Sequence, residues 1–150
     1  MIWFVSRVPD IQFILVILII KMDEMLNIPK QIAYWKESAD DDIETAEILI
    51  EKGKFVHGLF FCHLSIEKII KALVVKETEE IPPKSHDIFY LVKKANITIP
   101  EDKQIISQIL MKYQLEGRYP EYFPSKPSPD FAKKYLLETQ NLLRWFKMKL

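Results

Sequence analysis

FVHGLFFCHLSIEKIIKALVVK, Phe55 to Lys76, is the stretch whose reading decides the fold. Phe55, Leu59, Cys62, Ile66, Ile69 and Leu73 step by alternating fours and threes, the spacing that lines one face of an α-helix. Phe60, Phe61 and Leu64 fall off that stripe, so the helix has apolar neighbours on more than one side. It reads as the central helix of its domain, with the off-stripe aromatics serving as extra core or as a dimer seam.

On the N-terminal side, Ile32, Trp35, Ala39, Ile43, Ala46 and Ile50 share one face of a helix from about Pro29 to Lys52, with Pro29 suited to a first turn. Asp40, Asp41 and Asp42 spread around that wheel at about 100° each, which leaves Asp42 at the border of the apolar stripe. Gly53 ends the helix as a residue that tolerates a left-handed backbone. So short a link to the central helix makes the two antiparallel neighbours.

On the C-terminal side, the polar, Pro-bearing run ETEEIPPKSHD reads as a loop. Ser85 is expected to cap a short helix from His86 to about Asn96, with Ile88, Leu91 and Val92 facing inward. Pro100 or Glu101 opens another helix to about Glu116, striped by Ile105, Ile106, Ile109 and Tyr113. Gly117 and Pro120 break it, and RYPEYFPSKP, 118–127, reads as irregular. Ser128 caps a last helix with Pro129 at its first position, whose buried side is marked by Phe131, Tyr135, Thr139, Leu142 and Phe146.

Four longer amphipathic helices plus one short one, without alternating strand signals, predict an all-α protein: an antiparallel up-and-down bundle of four to five helices over residues 28–150. Residues 1–27 stand apart as a hydrophobic arm. Ile11 to Ile20 is interrupted only by Gln12, about half of the ~20 residues a spanning helix needs. No small-residue cleavage site follows it, so a signal peptide is not expected. The arm reads as a start-site artefact upstream of Met22 or Met25, as an apolar segment that seeks burial across an oligomer contact, or as a weak membrane anchor. A membrane partner is not expected.

The chain has 150 residues, 21 basic and 21 acidic, so its formal net charge is zero. Nothing in that balance suggests a reader of DNA sequence. Charge is nevertheless sorted: Gln31 to Glu51 holds one Lys against seven acids, whereas Ser125 to Leu150 holds six Lys and Arg against two acids. Opposite signs at the two ends favour docking between elements or subunits. The lone Cys62 excludes an internal disulfide and, on the core stripe, suits a reducing cytoplasm.

Trp35, Ala39, Asp42-Ile43, Ala46, Leu49-Ile50 and Gly53, then Glu67-Lys68, Lys71-Ala72-Leu73, Pro82-Pro83-Lys84, Ser85-His86-Asp87, Leu91 and the YQLEGRYP segment, Tyr113 to Pro120, together resemble the HEPN family over about residues 31 to 146. The resemblance implies a helical bundle, commonly a homodimer, associated with nucleotides or RNA. It also implies a small nucleotidyltransferase partner in a toxin–antitoxin or defence-type system. Some members are metal-independent ribonucleases that use an Arg separated by four to six residues from a His. Carried over, the arginine is Arg118, but Phe123, Pro124 and Ser125 stand where the histidine is required. The resemblance therefore implies a site that is catalytically weak or inactive. The alternatives are a ribonuclease toxin with a site rearranged around Arg118 and a non-catalytic interaction scaffold.

The chemistry gives the same emphasis. Cleaving RNA without a metal needs a base for the 2′-hydroxyl and an acid for the leaving oxygen, and the phenols of Tyr119 and Tyr122, with unperturbed pKa of about 10, are poor bases. Arg118 can still grip a phosphate through its planar fork of donors. Arg118, Tyr119 and Tyr122, with Lys68 and Lys71, are the candidate ligand contacts. The competing reading has Arg118 pairing Asp42 or Glu67 within the bundle, and the two lysines forming salt bridges to the acidic first helix. His63 and Glu67, one turn apart, are expected to share an intrahelical hydrogen bond and, with Asp42, to be polar interior residues; no third ligand completes a metal site, and no cofactor is implied. His86 reads as a helix-start residue and His57 as packing or surface.

Overall fold

The computed structural model describes residues 9–116, 118–119 and 126–150, and of residues 24–26 and 116 the backbone alone. Its helices are α1 (Ile11–Leu26), α2 (Ile28–Glu51), α3 (Phe55–Thr78), α4 (Ile88–Lys94), α5 (Glu101–Glu116) and α6 (Pro129–Lys147). The described residues contain no strand, and the architecture is an all-α bundle. α3 touches α2, α4, α5 and α6, so the residues Phe55–Thr78 form its axis.

That centrality follows from burial on every side. Leu59, Cys62, Ile66, Ile69 and Leu73 are buried on the expected stripe, and Ile70, Ala72, Val74 and Val75 are buried off it. α2 starts with the Asn27 side chain accepting from the Lys30 backbone N–H, and Pro29 lies in its first turn. It ends where Gly53 takes φ of +73°, a conformation that glycine adopts without the cost a Cβ brings. The chain then reverses directly into α3.

The two helices lie against each other closely. A Cβ on Gly58 would stand 2.4 Å from Ile50 Cγ1 and 3.2 Å from the Ala46 carbonyl oxygen. The buried Ser65 hydroxyl donates to the Ala39 carbonyl at 2.7 Å, which satisfies a polar group inside the contact. At the far side, Ser128 caps α6 by accepting from Phe131 N–H. The charge asymmetry is used inside the molecule: Lys147 of α6 pairs with Asp40 of α2. Lys76 of α3 donates to the carbonyls of Lys149 and Leu150 at 2.7 and 2.6 Å, fastening the end of α6.

Two expectations are corrected. α4 begins at Ile88 with Asp87 as its cap, accepting from Phe89 and Tyr90 N–H, while Ser85 accepts from Asp87 N–H one step earlier; this frees His86 from the helix. On α5 the inward residues are Ile106, Leu110 and Tyr113, and Ile105 is 55% exposed, because the helix turns Leu110 rather than Ile105 onto α3. The apolar arm is itself a helix, α1, with α2 its sole helix neighbour among the described residues. No helix of the described residues is long and apolar enough to cross a membrane.

The close approach at Gly58 gives a stability test. Gly58→Ala should lower the urea unfolding midpoint, with a loss of about 1–3 kcal/mol as expected for overpacking. Adding Ile50→Ala, which removes the nearest atoms, should make the second substitution cost less than it does in the wild type.

Candidate functional site around Glu67, His86 and Arg118

Glu67 stands halfway along α3 and is 3% exposed. Its Oε1 accepts from Lys71 Nζ at 2.7 Å, one turn on. Its Oε2 lies 3.0 Å from Nδ1 of His86, which arrives from the loop between α3 and α4. A carboxylate oxygen only accepts, so His86 carries its proton on Nδ1 and turns Nε2 away from the partner.

His63, one turn before Glu67, fixes the same loop from beneath. Its Nε2 lies 3.0 Å from the His86 backbone carbonyl, and that oxygen requires Nε2 to be the donor. Nδ1 is then the bare nitrogen of the neutral ring; it is buried without a hydrogen-bond partner and sits 3.7 Å from Glu67 Oε2. The expected His63–Glu67 hydrogen bond is therefore not made, because the ring's N–H serves the His86 carbonyl. Burial pushes the His63 pKa down to about 4, against the opposing pull of Glu67.

Arg118 completes the arrangement from the far end of α5. Its Nη2 is 3.4 Å from both ring nitrogens of His86, an equidistance that sets the guanidinium against the ring rather than in line with one lone pair. Its Cζ lies 5.4 Å from the centroid of Phe60, which itself meets Phe61 edge-on. Among the described residues no carboxylate pairs with Arg118. The guanidinium thus borders two rings, those of His86 and Phe60.

The acids that could have taken Arg118 are engaged elsewhere. Asp42 is buried and its Oδ2 meets Lys68 Nζ at 2.7 Å; desolvation raises its pKa and Lys68 opposes that shift. Lys71 is buried between Glu67 and the face of Trp35, 5.2 Å from the ring centroid. Lys68 and Lys71 thus serve carboxylates of the bundle, and Arg118 is exposed beside His86. Tyr119 follows it and is 49% exposed, whereas Tyr122 lies outside the described residues. His57 is exposed on α3. No group of His, Cys, Asp and Glu among the described residues is arranged to hold a metal ion.

What reading the sequence missed is the placement of His86. It lies 19 residues from Glu67 and 32 from Arg118, so no local spacing joins them. The one usable signal was His86 itself, a histidine between two capping residues, Ser85 and Asp87.

The HEPN domain model matches residues 32–149 of the sequence. The chain belongs to the HEPN domain family. It is a helical module of the nucleotide- or RNA-associated kind, and the HEPN match runs from α2 to α6, leaving α1 outside it. The crystal structure of TT1696 from Thermus thermophilus superposes with a TM-score of 0.70 at 23% identity, over 80% of this chain and 98% of that one. This likeness shows a shared helical fold. A comparison with curated proteins finds no match.

The buried neutral His63 predicts a pH dependence of stability. It titrates near 6.5 when unfolded and near 4 in the fold. Between those values the unfolded chain binds more protons, so stability is lost as pH falls. The loss at pH 4 is on the order of 3 kcal/mol. His63→Gln keeps a donor for the His86 carbonyl without a titrating ring. It should flatten that part of the urea-midpoint profile relative to the wild type, with the opposite-signed contribution of Asp42 common to both.

Proposed function

We propose that this HEPN module grips a phosphate group of a nucleotide or RNA strand at Arg118, with His86 beside it, and is at most a weak catalyst. The observation that carries the reading is an arginine in contact with the rings of His86 and Phe60, with no carboxylate partner among the described residues. An arginine used for stability alone is normally matched to an acid. A guanidinium held by rings on its faces is ready for an oxyanion at its edge. Tyr119, next in the chain, extends the contact, and Tyr122 belongs to the same proposal. A small nucleotidyltransferase partner in a toxin–antitoxin or defence-type setting, homodimer assembly and a cytoplasmic location accompany this reading on the strength of the family resemblance.

Weak catalysis follows from the inventory of proton carriers. His86, oriented by Glu67 through Nδ1, can offer Nε2 as a base. Among the described residues the other buried proton carriers are not placed to be the acid for the leaving oxygen: His63 is buried, with its pKa pushed down to about 4, and Lys71 is buried against Glu67. The second reading, a metal-independent ribonuclease with a rearranged site, is favoured by that same His86, since an imidazole missing after Arg118 in the sequence is supplied from the loop before α4.

Binding of a fluorescent single-stranded RNA oligonucleotide and of a mononucleotide tests the first reading. Arg118→Ala should weaken the tighter of the two at least tenfold, in keeping with the ~1.5–3 kcal/mol of a charge-assisted hydrogen bond. Equal affinities of wild type and variant for both probes would contradict it. Incubation with RNA in chelator separates the rival. Efficient scission that requires both Arg118 and His86 makes the protein a ribonuclease, and intact RNA bound through Arg118 leaves it a binding module.

A further inference from the structure

α1 has no place in the site just described, and its chemistry is unusual for an exposed helix. Phe13, Ile14, Leu15, Val16, Ile17, Leu18, Ile19 and Ile20 are all exposed, and α2 is the single helix neighbour of α1 among the described residues. An uncovered apolar surface of this extent marks an interaction site.

The order of residues on the helix says what covers it. At about 100° per residue, Asp10, Phe13, Ile14, Ile17, Leu18 and Lys21 fall within one face. Gln12 and Asp23, the other polar residues between positions 10 and 23, fall on the opposite side. The face is a palindrome in chemical type: an acid at one end, two apolar pairs, and a base at the other. Rotated by half a turn and laid against itself, it sets Asp10 opposite Lys21, Phe13 opposite Leu18 and Ile14 opposite Ile17. A parallel pair would instead set Asp10 against Asp10 and Lys21 against Lys21. The charged ends are exposed and available: Asp10 and Lys21 are both at the surface, and Asp10 also caps the helix, its Oδ1 accepting from Gln12 N–H at 3.3 Å.

We propose that α1 pairs antiparallel with α1 of a second copy of this chain through Asp10, Phe13, Ile14, Ile17, Leu18 and Lys21. A lipid bilayer fits less well. The apolar run Ile11–Ile20 is ten residues, about 15 Å of helix, or half the ~30 Å of a hydrocarbon core, with a charge at each end. The apolar residues drive the contact, and, on a helix apolar all round, the two Asp10–Lys21 pairs choose the face and set its direction, since exposed ion pairs contribute specificity more than strength. The seam lies outside the residues that bring Arg118 to His86, so it stands or falls independently of the phosphate-binding reading.

Cysteine pairing in the full chain tests the direction and the occupant together. The native Cys62 is buried and does not compete. Mixing Asp10→Cys chains with Lys21→Cys chains under mild oxidation should give the mixed disulfide dimer, while each alone stays largely unlinked. Ile14→Asp with Ile17→Asp should abolish the link and shift the sedimenting species to monomer, with helical circular dichroism confirming that the bundle persists. Self-linking of Asp10→Cys chains would overturn the antiparallel register. A wild-type chain that is monomeric at every concentration, one that binds phosphatidylcholine vesicles as a monomer, or a dimer indifferent to the Ile14 and Ile17 changes would overturn the proposal.

Discussion

A carboxylate buried in the middle of the central helix must be matched on both oxygens, and the site is the consequence of how Glu67 meets that demand. Oε1 is satisfied from within α3, by Lys71. Oε2 reaches across to His86 of the following loop. Leaving either oxygen bare in so dry a place costs more than any exposed ion pair returns. The loop is thereby held to α3 at a side chain, and His63 holds it a second time at the backbone. With His86 fixed in this way, Arg118 has a ring to lie against, and Phe60 is a second ring near it.

The same helix makes this possible by being enclosed. Packing on several sides removes water from Glu67, His63 and Lys71, and this strengthens each of their interactions while penalising any that goes unmade. The approach of α2 at Gly58 and Ser65 sets how tightly that enclosure closes. Trp35 of α2 lies against the Lys71 ammonium. Core packing and site chemistry are therefore one arrangement here, and the polar interior reaches the surface at His86.

The bundle was legible in the sequence because periodicity and punctuation agree: Gly53 ends α2, Ser128 and Pro129 start α6, and the stripe from Leu59 to Leu73 is continuous. Boundaries set by side-chain competition were less legible. Ser85 and Asp87 are both capable caps two residues apart, and geometry alone chose Asp87. On α5 the predicted stripe runs through Ile105, whereas Leu110, four residues after Ile106 and three before Tyr113, is the residue buried against the core. The cluster was legible in three of its members, with His86 reading only as a helix-start residue, and not in its connections. Glu67, His63 and Arg118 each draw attention from local chemistry, whereas the His86–Glu67 and His86–Arg118 contacts join distant segments that no spacing rule links. No histidine follows Arg118 along the chain, and the imidazole beside it in space comes from His86.

The central claim is that Glu67 fixes the tautomer and position of His86 while His63 grips the same loop with the opposite nitrogen. Long-range proton–nitrogen NMR of the histidine side chains near neutral pH reports this directly. The account predicts a ring protonated at Nδ1 for His86 and at Nε2 for His63, with the His86 pattern lost in Glu67→Gln. A His86 ring protonated at Nε2 in the wild type, or one that Glu67→Gln leaves unchanged, would contradict it.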